Sequence, residues 1–296
     1  MKQVLSKILA TVLIFTTIPV IGACSKINEI KMYNIETKQI ETLNIEDYIA
    51  GVVAGEMNNN WPIEALKAQC ILARTFTYDF LQNKTSKYDG AYISNEINEA
   101  QAYDSKKIND KIKEAVKETS GLVLKYDDDY INAWFHSNSG GVTETSTIGL
   151  NTESNPPYIK SIRSVETSDN SDNYNWSYTF SKAEILRALA SLGLSVSTIN
   201  NIEVGDKADS GRLLSLKVGD KIVNANTFRL AVGSTKLKST LINSILVDKE
   251  SVSFTGVGYG HGVGMSQWGA KILADNGRDY SYILNYYFDN VKIVKN

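Results

Sequence analysis

A helix with one anomalous position is encoded by residues 44–56, Asn44-Ile45-Glu46-Asp47-Tyr48-Ile49-Ala50-Gly51-Val52-Val53-Ala54-Gly55-Glu56. The apolar residues at positions 45, 48, 49, 52 and 53 share one face of a 3.6-residue period. Asn44 is a favoured N-cap, and Glu46 and Asp47 lie in the first turn, where the helix dipole favours negative charge. The next position on the apolar face is occupied by Glu56.

The position of Glu56 predicts a carboxyl group with unusual acid–base behaviour. Among apolar side chains, the charged form loses hydration, so the pKa rises and the group can hold a proton near neutral pH. A general acid needs this property. The alternative is a carboxylate at the helix end that turns out into water, and periodicity alone favours this alternative.

A second helix is predicted directly after the first, beginning at Trp61 and Pro62. Residues 58–60 are candidate caps, and proline is favoured at the first helical position. An inward stripe is formed by Ile63, Leu66, Cys70, Ala73, Thr77 and Phe80. Arg74 lies beside this stripe, where arginine is usually solvated, although the helical hairpin could also bring it near Glu56.

The remaining elements alternate irregularly between helix and strand, which predicts an α+β fold. Helices are expected over Lys106–Ser120 and from the capping box Ser181-Lys182-Ala183-Glu184 to Gly193. Strands are expected at residues 122–126, 130–135, 202–204, 213–218 and 222–223. Residues 166–175 are polar and indicate a long loop or a boundary. We therefore expect one domain over residues 25–296, with a possible sub-lobe at residues 166–250.

The first 24 residues have the pattern of an export segment. Two lysines precede an apolar run that ends in Ile21-Gly22-Ala23-Cys24. This ending resembles a bacterial lipobox, in which Cys24 would be lipidated. A plain secretory signal and an uncleaved membrane anchor are the alternatives. All three predict an extracytoplasmic chain, and two of them predict membrane anchoring.

Composition excludes few classes of protein, but the net charge and the small number of cysteines limit the partners and sites to expect. The chain has 296 residues and a net charge of −2, which gives no sign of nucleic-acid binding. Besides Cys24, only Cys70 is present, and it is predicted to be a small buried hydrophobe. With Cys24 lipidated, Cys70 has no partner for a disulfide. The sequence also lacks the CxxC spacing that is typical of zinc sites.

A glycine-rich segment near the C-terminus has glycine at every second residue from Gly256 to Gly264. Glycine allows positive φ angles and close approach of the backbone to a ligand. Polar and aromatic side chains in and after this run suit a polar ring such as a sugar. The alternative is a tight connector between a strand and a helix that starts near Met265.

Together these segments resemble the SpoIID/LytB family. The resemblance runs from about Ile45 to Val294 and is carried by residues 53–57, 61–69, 73–75, 101–103, 135–137, 140–141, 210–212 and 259–270. The last block, Tyr259-Gly260-His261-Gly262-Val263-Gly264-Met265-Ser266-Gln267-Trp268-Gly269-Ala270, is the most specific.

The resemblance implies a lytic transglycosylase that cleaves peptidoglycan glycan strands lacking stem peptides. It implies that Glu56 is the catalytic acid and that the glycine-rich loop closes the cleft. The implied substrate-binding residues are Arg74, Gln101, Tyr103, His136, Ser137, Tyr259, His261, Ser266 and Gln267. It also implies a role in sporulation and a cell-wall amidase (SpoIIP-like) as partner.

A metal or other cofactor is not expected. Some family members hold zinc with a cysteine and a histidine in the segment that begins here at His136. This chain has Ser139 and Val142 at the corresponding positions, and it contains only two histidines.

A lytic transglycosylase can work with one carboxyl group, whereas an ordinary glycosidase needs two. Glu64, Glu99 and Glu144 remain candidates for a second one. Two other functions stay open: a true muramidase, and a non-catalytic glycan-binding protein that stimulates an amidase.

Overall fold

A computed structural model describes residues 28–172 and 174–296, and its architecture is α+β, as the sequence predicts. The predicted export segment, including Cys24, lies outside the described residues and stays a prediction. Within the described ranges, no helix combines the length and apolar character needed to cross a bilayer.

The described part of the chain begins with a hairpin that leads into two helices. The first elements are β1 (Glu29–Asn34), β2 (Gln39–Asn44), α1 (Ile45–Glu56), α2 (Ile63–Asn83), β3 (Ile93–Ser94), α3 (Asp110–Glu118), β4 (Leu122–Tyr126), β5 (Asp129–Tyr130), β6 (Phe135–His136) and α4 (Ser146–Gly149). The Asn44 side chain accepts a hydrogen bond from the Glu46 N–H at 2.9 Å, which confirms the predicted cap of α1.

The second half contains a run of strands and short helices, followed by the glycine-rich segment. Its elements are β7 (Asn175–Ser181), α5 (Lys182–Ser191), β8 (Ile202–Val204), β9 (Ser215–Val218), β10 (Lys221–Asn224), α6 (Ala225–Val232), β11 (Ile242–Val247), β12 (Ser251–Val257), β13 (Met265–Ser266), α7 (Gln267–Asp275), α8 (Tyr280–Tyr287) and β14 (Lys292–Lys295). The predicted capping box at Ser181 and Glu184 is present at the start of α5.

The strands form small sheets with mixed and antiparallel pairing. β1 pairs antiparallel with β2 and parallel with β3, and β4 lies between β14 and β5. β6 and β13 pair in parallel and join two segments that are distant in sequence. In the second half, β12 lies between β11 and β7, and β9 lies between β10 and β8.

Buried apolar side chains form two clusters. The larger one contains α1 and α2 and is completed by C-terminal residues such as Ile283 and Phe288. The smaller one runs from Trp176 to Phe254 and includes Phe180 and Phe228. Glu166, the first residue of the possible sub-lobe, instead accepts hydrogen bonds from Ser139 and Ser266, outside the smaller cluster. Whether residues 166–250 are a separate folding unit stays a prediction.

The helix predicted over residues 106–120 is shorter than expected, because a separate turn precedes it. The Asp104 side chain caps a 3₁₀ turn at Ser105–Lys107, accepting a backbone N–H at 3.1 Å. Asn109 then caps α3 in the same way at 3.0 Å. A capping residue has non-helical backbone angles, so two successive caps interrupt the helix.

The strand predicted over residues 130–135 is also interrupted, because the chain changes partner. β5 ends beside β4, whereas β6 begins beside β13. Between them, the Asn132 N–H donates to the hydroxyl of Tyr158 at 2.9 Å. Other boundaries also differ by one or two residues; for example, Pro62 is the N-cap of α2, β9 begins at Ser215, and α7 begins at Gln267.

Arg74 ties α1, α2 and β4 together. Its guanidinium is fully buried and donates to both carboxylate oxygens of Glu46, at 3.1 and 2.6 Å. It also donates to the Leu122 carbonyl at 2.9 Å. Glu46 in turn accepts the Gly121 N–H at 3.1 Å. These bonds assign Arg74 to the packing of three elements, and its predicted contact with substrate stays untested.

Replacing Arg74 with alanine is expected to lower the free energy of unfolding by about 3 kcal/mol, because a buried ion pair loses one partner. Urea denaturation followed by circular dichroism measures this change. The control is Lys217→Ala, which removes an exposed ion pair with Glu203 and should cost no more than about 1 kcal/mol. An Arg74→Ala protein as stable as the wild type would contradict the structural role.

Candidate active site

Glu56 is the last residue of α1 and is held by a loop from elsewhere in the chain. One of its carboxyl oxygens, Oε1, accepts the Ala102 N–H at 2.7 Å. Ala102 lies between two other predicted site residues, Gln101 and Tyr103. The sequence therefore identified two segments, residues 53–57 and 101–103, that the structure brings into contact.

Two glycines of α1 make this contact possible. A Cβ atom at Gly55 would lie 2.8 Å from the Tyr103 backbone nitrogen, and one at Gly51 would lie 2.1 Å from the Tyr103 ring. The same ring stacks on Tyr48, with centroids 5.8 Å apart. The loop thus packs directly on the helix backbone and covers the carboxyl of Glu56.

Burial raises the pKa of Glu56 to about 7, and the hydrogen bond from the Ala102 N–H partly opposes this rise. The direction agrees with the behaviour predicted from the apolar helix face. At neutral pH the group is therefore divided between its acid and its carboxylate, the state required of a general acid that later accepts a proton.

The two histidines lie together at the β6–β13 pairing. The rings of His136 and His261 are 5.6 Å apart between centroids. His136 Nδ1 lies 3.1 Å from the Val263 carbonyl, while His261 Nδ1 accepts the Val263 N–H at 3.1 Å. In the neutral rings this places the proton on Nδ1 of His136 and on Nε2 of His261.

Both histidines are uncharged at neutral pH. Burial lowers the pKa of His136 to about 3, helped by the nearby positive charge of Arg212. Burial and the neighbouring His136 also place the pKa of His261 well below its usual value. The pair therefore supplies no positive charge. Both nitrogens of His261 have backbone partners, and His136 Nε2 is buried without a hydrogen-bond partner among the described residues.

Positive charge beside the histidines comes from Arg212, a residue that the sequence analysis left without a role. Its side chain is fully buried, and Nη2 donates to the Ser139 carbonyl at 2.9 Å. A Cβ atom at Gly262, where φ is +83°, would lie 2.3 Å from the guanidinium. The glycine-rich segment therefore wraps around Arg212. The only sequence signal was its place in the Ser210-Gly211-Arg212 motif.

Two buried carboxylates complete this cluster. Glu144 accepts hydrogen bonds from the Ser210 hydroxyl and the Thr145 N–H. Glu166 accepts the Ser139 N–H at 2.8 Å and the Ser266 hydroxyl at 2.6 Å. Within this cluster Glu166 holds Ser266 of the glycine-rich segment, while Nε and Nη1 of Arg212 are buried without a hydrogen-bond partner among the described residues.

A tryptophan pair joins the Glu56 segment to this network. Trp61, in the loop after α1, meets Trp268 edge to face, with ring centroids 4.9 Å apart. The Trp268 N–H donates to the Ser137 carbonyl at 3.0 Å, directly beside His136. These contacts connect the two groups of predicted site residues. A cleft shared by Glu56 and the histidines stays a prediction.

The other predicted binding residues differ in accessibility. Gln101, Ser266 and Gln267 are buried, and Ser266 caps α7 by accepting the Gly269 N–H at 3.2 Å. Tyr259 is half-buried, and its backbone pairs with Asn138. Direct contact of any of these residues with a ligand stays a prediction.

The arrangement offers no evident metal site. Within residues 28–172 and 174–296, no group of three or more His, Cys, Asp or Glu side chains is placed to hold an ion. Cys70 is buried, which raises the pKa of its thiol to about 12.

The candidates for a second carboxylate have structural partners. Glu64 pairs with Lys67 at 2.7 Å, Glu99 accepts the Lys87 N–H at 2.7 Å, and Glu144 belongs to the network around Arg212.

Comparison with known proteins agrees with the resemblance. A family model described as stage II sporulation protein matches residues 33–126, and a model for a domain of unknown function matches residues 125–264. An uncharacterized protein of Brachyspira hyodysenteriae is 30% identical over 266 residues, covering 88% of this chain and 70% of that protein.

Two relatives from Bacillus subtilis carry functional names. Stage II sporulation protein D is 29% identical over 282 residues, covering 89% of this chain and 78% of the relative. An amidase enhancer is 29% identical over 292 residues, but the match covers only 39% of that longer protein. With the Glu56 segment inside the matched family region, this chain belongs to the stage II sporulation protein D (SpoIID) family.

Proposed function

We propose that this protein is a lytic transglycosylase that cleaves peptidoglycan glycan strands lacking stem peptides. The observation that carries the proposal is the half-buried carboxyl of Glu56. Loss of hydration raises its pKa to about 7, and no nearby cation lowers it. The names of the relatives support a cell-wall role, and the finer activity is our inference.

The reaction needs one group that first gives and then takes a proton. Protonated Glu56 donates to the glycosidic oxygen as the bond to C1 of N-acetylmuramic acid breaks, and positive charge develops at C1. The resulting carboxylate then accepts the proton of the C6 hydroxyl of the same sugar. That oxygen attacks C1 and closes a 1,6-anhydro ring. Because the nucleophile is intramolecular, no water has to be positioned.

The glycine-rich segment has the groups to position the sugar in this proposal. In this proposal His136 Nε2, which has no hydrogen-bond partner among the described residues, would accept a hydrogen bond from a sugar hydroxyl or amide N–H. Catalytic groups are commonly presented on loops held by a rigid scaffold, and here Arg212 and Glu166 supply that support.

A second candidate is a glycan-binding protein that stimulates a cell-wall amidase without cutting glycan. The similarity to an amidase enhancer favours it. The hydrogen bond between Glu56 and Ala102 would then only shape the binding surface. In either case we place the domain outside the cytoplasm, acting in sporulation with an amidase as partner.

Replacing Glu56 with glutamine is expected to lower the rate of glycan cleavage by about 10²–10⁴-fold or more, because no acid remains to protonate the leaving oxygen. Mass spectrometry of products from stripped glycan measures this rate and distinguishes anhydro ends from hydrated ends. EDTA should leave the wild-type products unchanged. Hydrated ends would identify a muramidase, and wild-type protein that releases no fragments would favour the enhancer.

The pH dependence of the free energy of unfolding should also reveal the raised pKa of Glu56. A folded-state pKa of about 7, above the ordinary value of 4.5, means that the folded protein binds the proton more tightly than the unfolded chain does. Stability contributed by this proton is present below pH 4.5 and is lost as the pH rises to about 7. The loss is on the order of 3 kcal/mol.

Urea denaturation from pH 5 to pH 8 tests this expectation, with Glu56→Gln as the control that cannot titrate. The difference in unfolding free energy between wild type and variant should change across this range and level off above pH 7. Parallel pH curves for the two proteins would show that the carboxyl titrates normally.

The stretch Ile21-Gly22-Ala23-Cys24 resembles a lipobox, and lipidation of Cys24 would anchor the domain to a membrane. Cys24→Ser should then release the protein from the membrane fraction or leave the precursor uncleaved. Membrane fractionation with mass spectrometry of the N-terminus reports both. A mature protein that begins elsewhere would identify a plain secretory signal, and full membrane retention would identify an uncleaved anchor.

A further inference from the structure

The surface of α8 carries an open depression apart from the residues around Glu56 and the histidines. Its volume is about 390 Å³, and it is lined by Lys160, Ile162, Tyr282, Asn285 and Tyr286. A volume of this size falls within the range of small-ligand sites in proteins. Tyr282 keeps 43% of its surface exposed, so its side chain is accessible to a ligand.

The two tyrosines are held in a fixed arrangement before any ligand binds. They lie four residues apart on α8, with ring centroids 6.3 Å apart and planes 26° from parallel. The Tyr286 hydroxyl donates to the Arg163 carbonyl at 2.7 Å. The Arg278 guanidinium lies 4.6 Å from the Tyr282 ring centroid. Fixed rings lose little conformational entropy when a ligand binds.

One exposed cation beside the depression can meet a ligand that carries negative charge. Arg278 is exposed at one tyrosine, and the Lys160 ammonium lies in the lining. The Lys160 ammonium is paired with Asp289 at 2.5 Å. Among the described residues no carboxylate forms an ion pair with Arg278, so its guanidinium supplies the positive charge. None of the lining residues is acidic.

We propose that this depression is a second glycan-binding site, which takes sugar units bearing a carboxylate. The apolar face of a pyranose ring packs on tyrosine, while hydroxyl and amide groups meet Asn285 and Lys160 at the rim. This proposal rests on the proposed function for its substrate class, since a strand without stem peptides has a free lactyl carboxylate on each muramic acid. A protein partner fits less well, because stable interfaces bury about 800 Å² per partner.

A strand held on α8 while another part lies at Glu56 would be retained between cleavage events. Binding at two linked places raises the overall affinity for long strands far above that for short ones. The site therefore acts on the binding of long strands and leaves the chemical step at Glu56 unchanged.

The test measures the affinity of Glu56→Gln protein, which should not cut, for long glycan strands without stem peptides. Adding Tyr282→Ala should weaken binding about tenfold, or 1.4 kcal/mol, and Tyr282→Phe should restore it because the ring is kept. The matched control is Tyr92→Ala, since Tyr92 is 47% exposed and has Lys31 at 5.6 Å from its ring centroid. This control should bind like the parent.

Equal affinity of the parent and the Tyr282→Ala variant would overturn the proposal, as would equal weakening by Tyr92→Ala. Chitin strands of the same length, which lack the carboxylate, should bind more weakly and with less dependence on salt. Equal binding of chitin and stripped glycan would overturn recognition of the carboxylate. Failure of the proposed function is seen separately, as absence of cleavage products from the wild-type enzyme while Tyr282-dependent binding persists.

Discussion

The candidate site depends on how closely the loop at residues 101–103 approaches the backbone of α1. Gly51 and Gly55, one helical turn apart, leave room for the Tyr103 ring and backbone. The Asp104 N–H also donates to the Gly51 carbonyl at 2.9 Å, which holds the loop at this distance. Any side chain at either glycine would push the loop outward and admit water to Glu56. Because burial is the largest cause of the raised pKa, the acid–base property of the site follows from this packing.

The network around Arg212 is a second feature of the molecule, in which a charged side chain is buried. It keeps a buried cation near two histidines, and burial lowers the pKa of Arg212 only to about 10, so the side chain stays charged at neutral pH. Glu144 and Glu166 are the nearby negative charges, and Glu166 also accepts the hydroxyl of Ser266 in the glycine-rich segment. The positive φ angles and missing side chains of the glycines allow this segment to pack closely against its neighbours.

Local signals in the sequence predicted the elements, whereas long-range contacts decided the roles of the side chains. The Asn44 cap and the Ser181 capping box involve residues within one helical turn, and both were readable. The bonds of Arg74 to Glu46 and of Arg212 to Ser139 join residues 28 and 73 positions apart. No periodicity reports such a partner. The sequence therefore does not predict the ion pair of Arg74, whose contact with substrate stays a prediction, and it marks Arg212 only as part of a motif.

Two glutamates of α1 show how position on one helix gives carboxyl groups opposite roles. Glu46 lies in the first turn, where the helix dipole favours negative charge, and Arg74 neutralises it. Glu56 lies at the other end, where the dipole disfavours negative charge, and its hydrogen bond comes from an uncharged N–H.

The environment thus keeps one carboxyl available as an acid while the other anchors the fold. A buried group without a counter-ion lowers stability, and the ion pair at the opposite end of the same helix helps to offset that loss. The protonated acid is thus presented by a helix whose N-terminal turn is held by the ion pair with Arg74.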